Sequence, residues 1–270
     1  MQLSHIVLRF VERMSDMSEV IYGKNAVLEA LRAGRQVYKL LITNEAFKKE
    51  GEIRRFIKES NIEHELIDSK KIKQVVRQKY DLSGQLQGLV AEVAEYEYME
   101  LDELLEKFKR QEKAAFVIML DGLEDVHNLG AIVRSAEAIG VDAIIIPKHG
   151  SVSLGSTVAR LSAGAIEYVP VVQATNLNRA IERMKKAGIW FVGTDASESE
   201  DYRAVDMTMP VCIVIGSEGR GMSRLVKEAC DFKVHLPMIG NMTSLNASVA
   251  AALLMYEAYN QRNPINTNPY

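Results

Sequence analysis

Residues 210–259 read PVCIVIGSEGRGMSRLVKEACDFKVHLPMIGNMTSLNASVAAALLMYEAY. Residues 211–215 form a continuous apolar run, the pattern of a buried parallel strand. It runs straight into a glycine-rich turn, Gly216 to Gly221, and residues 222–229 have helical character. Residues 232–236 read as a second strand, leading into a loop with Pro237 and Gly240. Thr243, Ser244 and Asn246 then introduce a long apolar helix over 247–259, with an N-cap signal at its start. Two loops thus leave the carboxyl ends of two strands, the edge of an open α/β sheet at which ligands bind.

Outward from this stretch, the apolar run 115–120 ends at Asp121 and Gly122 and predicts another buried strand. Asn128 is placed to cap the helix that follows, whose packed face is Ala131, Ile132, Ser135, Ala136 and Ile139, with Arg134 beside it. Strands are expected at 143–146, 168–172 and 189–193, and helices at 157–163 and 177–187. Residues 114–262 therefore read as one α/β domain with a parallel sheet, and 263–270 as a tail. A smaller α/β domain is expected over 21–96. Its elements are a helix capped by Asn25, strands at 37–43, 62–67 and 88–96, and helices at 47–59 and 69–79. In the strand at 62–67, Ile62, His64 and Leu66 alternate onto one side. Residues 97–113 read as a charged linker that becomes a short helix, with Leu101, Leu104, Leu105 and Phe108 at helical spacing. Residues 1–20 stand apart as an extension or disordered tail. A short amphipathic helix there is interrupted by Arg9, Glu12 and Arg13, and no secretory cleavage site follows.

Composition narrows the function class. The chain has 270 residues, 47% hydrophobic, with a net charge of −3, as for a soluble globular protein. No apolar run approaches the ~18 residues of a membrane span, so no membrane partner is expected. The charge is uneven: residues 21–80 hold 14 Lys+Arg against 8 Asp+Glu, and residues 81–110 hold 3 against 8. A basic module followed by an acidic stretch suits an RNA-facing domain, and mixed charge on solvated helices is the plainer alternative. The two cysteines, Cys212 and Cys230, lack metal-ligand spacing and read as core residues of a protein in a reducing cytoplasm. Five scattered histidines give no metal site. Asp121, Glu124 and Asp125 fit loop capping better than a cation. A Walker A loop, a dinucleotide fingerprint and a nucleophilic serine elbow are all missing, which argues against a nucleotide-dependent oxidoreductase or a hydrolase. Taken singly, the glycine turn, Arg134 and the Ser244–Asn246 pair have ordinary readings as a tight turn, a surface ion pair and a helix cap.

Taken together they are more specific. Asn128-Leu-Gly-Ala-Ile-Val-Arg134, Ile215-Gly-Ser-Glu-Gly-Arg-Gly221 and Leu236-Pro-Met-Ile-Gly-Asn-Met-Thr-Ser-Leu-Asn-Ala-Ser248 occur in order, each behind a strand. This set resembles the ribose 2′-O branch of the SPOUT superfamily of S-adenosylmethionine-dependent RNA methyltransferases. The segments IYGKNAVLEAL (21–31) and QGLVAEVA (87–94) resemble the substrate-binding domain of its 23S rRNA guanosine-2′-O-methyltransferase subgroup.

The resemblance implies a C-terminal domain with a parallel sheet and a trefoil knot, and an N-terminal domain resembling a ribosomal-protein RNA-binding fold. It implies a homodimer acting on RNA, most specifically a guanosine of 23S rRNA, with no DNA partner. The active site would draw groups from both subunits, and the last helix would supply part of the interface. Carried over by position, Thr194, Gly216, Gly221, Leu236, Met238 and Leu245 would hold S-adenosylmethionine, with no metal. Arg134 would be the central catalytic group, assisted by Asn128, Glu218, Ser244 and Asn246. An arginine keeps its proton to above pH ~12 and makes a poor base, so phosphate anchoring and polarisation of the 2′-hydroxyl suit it better. Transfer RNA, a thiopeptide-resistance site in ribosomal RNA, and a non-catalytic role in ribosome assembly are the alternatives.

Overall fold

The computed structural model describes residues 18–80, 86–195 and 199–265. The expected helix near the N-terminus lies outside them. The chain forms two compact units, one of residues up to 97 together with 154–167, the other of 98–153 and 168 onward.

The first unit is a four-stranded sheet with helices. Its strands are β1 (Ser18–Tyr22), β2 (Val37–Thr43), β3 (Glu63–Ile67) and β4 (Leu89–Ala94), in the order β1-β4-β2-β3. β4 is antiparallel to both neighbours, and β2 and β3 are parallel. Helices α1 (Lys24–Arg32), α2 (Asn44–Lys49), α3 (Gly51–Glu59) and α4 (Ser69–Tyr80) connect them. β1 corrects the reading of residues 1–20 as a tail: from Ser18 onward they pair in register with β4. Gly23, not Asn25, sits at the N-cap of α1. In β3 the expected alternation holds, and the side shared by His64 and Leu66 is the exposed one, with Leu66 48% exposed and Ile67 buried. At an edge strand a lone apolar side chain facing water costs little, so alternation alone does not fix which face is buried.

α7 (Ser156–Leu161) and a 3₁₀ turn at Ala165–Glu167 also belong to this unit, although the sequence places them in the second domain. α7 packs on β1, and Arg160 donates from Nε to the Tyr22 hydroxyl at 3.1 Å. Glu167 accepts from Arg35 at 2.9 Å, and Arg35 also binds Glu19 and the Ala94 carbonyl. Both charged side chains of the Arg35–Glu167 pair are under 10% exposed. Removing Arg35 would therefore leave Glu167 a buried carboxyl without its cation, whereas Arg35 keeps Glu19 if Glu167 is removed.

The second unit is built on a seven-stranded, all-parallel sheet. Its strands are β5 (Phe116–Asp121), β6 (Ala143–Pro147), β7 (Val171–Ala174), β8 (Trp190–Thr194), β9 (Glu200–Asp201), β10 (Val211–Gly216) and β11 (Phe232–His235), in the order β7-β6-β5-β10-β8-β11-β9. The helices are α5 (Leu101–Arg110), α6 (Val126–Ala138), α8 (Leu177–Lys186), α9 (Arg224–Ala229) and α10 (Ala247–Arg262). β5, β6 and β10 are buried almost end to end, which is why they read as unbroken apolar runs. The short helix expected within 97–113 forms as α5, but it belongs to the second unit and does not serve as a solvated linker: Leu104 is fully buried, and Leu101, Leu105 and Phe108 pack against the core. Cys212 and Cys230 are free and buried, and burial pushes the Cys230 thiol up to about 12. Among the described residues no helix is long and apolar enough to cross a membrane.

After β11 the chain returns to the middle of the sheet, where α10 packs on α6 and β10. The architecture is that of the knotted SPOUT α/β domain with a small N-terminal domain. The returning C-terminal segment is the one that the resemblance implies to be threaded. Strand patterning cannot reveal threading, because it reports which faces are buried and not which loop the chain passes through.

Candidate functional site

β10, β8 and β11 are neighbours, and the loops that leave their carboxyl ends enclose a cavity of about 810 Å³. β10 opens into the turn from Ser217 to Gly221, closed on itself by paired backbone bonds between those residues, 3.0 and 2.9 Å. Gly216 begins the turn where there is no room for a side chain: a Cβ would lie 2.2 Å from the Gly221 carbonyl carbon and 2.3 Å from the Met222 nitrogen. β11 opens into the loop carrying Leu236, Met238, Ser244 and Leu245, and β8 ends at Thr194 and Asp195.

A three-residue polar cluster ties these loops to α6. The Asn128 amide nitrogen donates to Glu218 Oε1 at 2.9 Å. Asn246 Nδ2 donates to Asn128 Oδ1 at 2.8 Å and to Glu218 Oε1 at 2.6 Å. The Ala247 backbone N–H also reaches Glu218 Oε1, at 3.2 Å. Asn246 uses its remaining oxygen as the cap of α10, accepting from Ser248 N at 3.0 Å and Val249 N at 3.3 Å. One side chain thus starts the last helix and fixes the orientation of a glutamate on a different loop. Asn128 is only 3% exposed, so its amide depends on these partners.

Asn128 is not a helix cap. α6 begins two residues earlier, where Asp125 Oδ1 accepts from His127 N at 2.8 Å. The other acidic residues of that loop are also engaged within the protein: Asp121 accepts from Ser223 N at 2.6 Å, and Glu124 pairs with Arg220 at 2.6 Å.

All six residues expected at the cofactor, Thr194, Gly216, Gly221, Leu236, Met238 and Leu245, line the cavity. Of the five expected catalytic residues, Glu218 and Ser244 line it, and Asn128 and Asn246 join it through Glu218. Arg134 does not. It is exposed on α6 and, among the described residues, makes no hydrogen bond or ion pair. The sequence reading missed Asp195 and Lys227, which form an ion pair on the cavity wall, and His235, which meets Ser199 at 3.1 Å. Asp195 had a signal, since it directly follows the carboxyl end of a strand. Lys227 had none.

The arrangement suits an adenosyl cofactor: apolar side chains on one wall, a folded glycine turn offering backbone groups, and a carboxylate at the edge. A cavity at the carboxyl edge of a parallel sheet, with a polar cluster at its lip, marks a ligand site of an open α/β protein. Residues 115–256 match the model of the SpoU rRNA methylase family, and residues 20–99 match that of the RNA 2′-O ribose methyltransferase substrate-binding domain. The chain belongs to the SpoU rRNA methylase family and is an S-adenosylmethionine-dependent RNA methyltransferase. It is 50% identical over 253 residues to YacO of Bacillus subtilis, assigned to the TrmH family of tRNA/rRNA methyltransferases, covering 93% of this chain and 99% of that one. Among solved structures it is similar to the SpoU methyltransferase AviRb of Streptomyces viridochromogenes in complex with AdoMet. The TM-score is 0.76 at 25% identity, covering 92% of this chain and 91% of AviRb. A crystal structure of an RNA 2′-O ribose methyltransferase matches with a TM-score of 0.74 at 26% identity, covering 97% of this chain and 96% of the other.

Proposed function

We propose that the protein methylates the ribose 2′-hydroxyl of a guanosine in 23S rRNA, working as a homodimer in the cytoplasm. The observation that carries the reading is the Asn128–Glu218–Asn246 cluster, which ties two loops to α6 at the lip of the cavity. Such a cluster serves a site that must present fixed polar groups to a substrate. Thr194, Gly216, Gly221, Leu236, Met238 and Leu245 hold S-adenosylmethionine, which supplies a methyl group already activated on a sulfonium. The task left to the protein is to orient the 2′-hydroxyl and ease the loss of its proton. Ser244 and Glu218 face that task from the cavity, with Asn128 and Asn246 positioning Glu218. The exposed guanidinium of Arg134, free of internal partners, is available to anchor the adjoining phosphate and polarise the hydroxyl.

The homodimer is supported by α10. It buries Ala251, Leu254 and Met255 against its own unit, while leaving Leu253 43% and Tyr256 47% exposed along its other side. In the dimer the active site includes groups from both copies, which accounts for Arg134 standing away from the cavity of its own chain. The first unit, which contains the basic segment 21–80, recognises the RNA.

The test is methyl transfer from labelled S-adenosylmethionine to unmodified 23S rRNA, with the product mapped by ribose-methylation-sensitive cleavage. A single 2′-O-methylguanosine supports the reading. Transfer to transfer RNA instead keeps the chemistry and overturns the target. Cofactor binding without transfer to any RNA overturns the catalytic role.

A further inference from the structure

The first unit has a cavity of its own, of about 730 Å³, between the start of α1, the β2–α2 turn, α4 and the turn entering β4. That size falls within the ~300–1,000 Å³ typical of sites for small ligands. Ala46, Ile72, Val76 and Leu86 make an apolar floor, each no more than 8% exposed. At the rim, Lys49 and Lys73 are exposed and, among the described residues, have no ion-pair or hydrogen-bond partner. Lys24 differs, being held by Glu50 at 2.9 Å.

One wall has an unusual backbone. Gln87 and Gly88 are both left-handed, at φ +49° and +74°. At Gly88 a side chain would stand 2.4 Å from Thr43 Oγ1, so the strand entry closes tightly on the β2–α2 turn. Gln87 takes a conformation that costs energy for a residue with a Cβ, and such residues gather where a ligand is clamped. Its amide oxygen accepts from Lys24 N at 2.8 Å, and among the described residues its amide nitrogen has no partner.

We propose that this cavity seats one unpaired nucleotide of the substrate RNA. The base lies on the apolar floor with its edge toward the Gln87 amide, and a flanking phosphate rests between Lys49 and Lys73. The inference rests on the RNA reading above and adds the place and form of recognition. An apolar floor with one polar edge matches a nucleobase, and two unpartnered amines match a phosphate. Unpaired bases are the parts of RNA that can enter such a cavity, because a duplex keeps its bases stacked and its major groove too narrow for side chains. Glu45, a lining carboxylate that has no ion pair among the described residues, offers an acceptor to a base N–H and disfavours a second phosphate.

The full-length protein is titrated with two fluorescent RNAs, a stem with an unpaired loop of mixed sequence and the same stem as a closed duplex. Ser69→Tyr places a ring at the cavity mouth from an exposed position, and Lys49→Ala with Lys73→Ala removes the amines. Ser69→Tyr is expected to weaken binding of the looped RNA by at least about fivefold, with an unchanged salt slope and little effect on the duplex. The double lysine variant is expected to lower the salt slope for the looped RNA by about 0.7, the share of the one phosphate held between the two amines. S-adenosylmethionine affinity should stay at the wild-type value in both. Ser69→Tyr binding the looped RNA as well as wild type, or weakening loop and duplex equally, overturns the proposal. Wild-type protein that binds neither RNA overturns the RNA reading and this inference together.

Discussion

Asn246 holds two duties in one side chain, and two substitutions separate them. Asn246→Ala removes both. The lost cap costs about 1 kcal/mol. Asn128 Oδ1, on a residue only 3% exposed, loses its partner at 2.8 Å, and an unsatisfied buried acceptor costs about 1–3 kcal/mol. Glu218 keeps its bonds from Asn128 and Ala247, so its loss is small. The sum is about 2–4 kcal/mol, independent of pH. Asn246→Asp keeps the cap, because one carboxylate oxygen still accepts from residues 248 and 249. Its other oxygen then replaces a donor that stood 2.6 Å from Glu218 Oε1. Two carboxylates that close cannot both ionise, so the pair retains a proton with its pKa raised in the folded state. The sign follows: an acid with a raised folded pKa adds stability that is complete below its unfolded value and lost as pH rises through the folded one. Urea unfolding read by Trp190, the single tryptophan, measures this at about pH 5 and about pH 8. Asn246→Asp should approach wild-type stability at the lower pH and fall below it at the higher, while Asn246→Ala should lag by a constant amount. An aspartate variant as stable as wild type at about pH 8 would refute the cluster as drawn.

Arg134→Ala should lower methyl transfer by more than ~100-fold with cofactor affinity unchanged; activity within about tenfold of wild type, roughly 1.4 kcal/mol, would sink its assigned role. Gly216→Ala should abolish cofactor binding measured by calorimetry and cost roughly 1–3 kcal/mol in stability, because the added carbon overlaps the turn backbone. Burial holds the Glu167 carboxyl above the usual carboxylate range against the pull of Arg35. The wild type should therefore gain stability on acidification through that raised pKa, and Glu167→Gln should lose this gain, seen as a flatter dependence of melting temperature on pH. Deleting residues 1–97 should leave Val158, Ala159 and Ile166, buried in the first unit, without their cover. The truncated chain is expected to bind S-adenosylmethionine but aggregate more readily in light scattering than the full chain.

Much of the second unit was legible because buried parallel strands write themselves as unbroken apolar runs, as in β5, β6 and β10. The lip of the cavity was legible through the co-occurrence of three loops, since Asn128, Glu218 and Asn246 each have an ordinary reading in isolation. What failed was local. Asn128 is a plausible cap by type, but Asp125 lies nearer the true start of α6 and takes that duty. Leu101, Leu105 and Phe108 gave the helix but not its place in the second unit, because a short amphipathic pattern says that a face is buried and not what buries it. The placement of 154–167 had no local signal at all. It is set by Arg35 and Tyr22, more than a hundred residues away.

That placement also governs the order in which the chain can mature during synthesis. A polypeptide emerges amino end first, and an N-terminal unit ordinarily completes itself before the next one appears. Here the first unit cannot. Its sheet is fully translated once β4 has emerged, yet Tyr22 and Arg35 find their last partners only when Arg160 and Glu167 have followed. By then β5 and β6 are already out, with β5 still lacking β10, its late-arriving neighbour in the second sheet. Neither half is finished while the other is begun, so the nascent chain carries two open surfaces at once. The burden of shielding them falls on the interval between the emergence of residue 97 and that of β10.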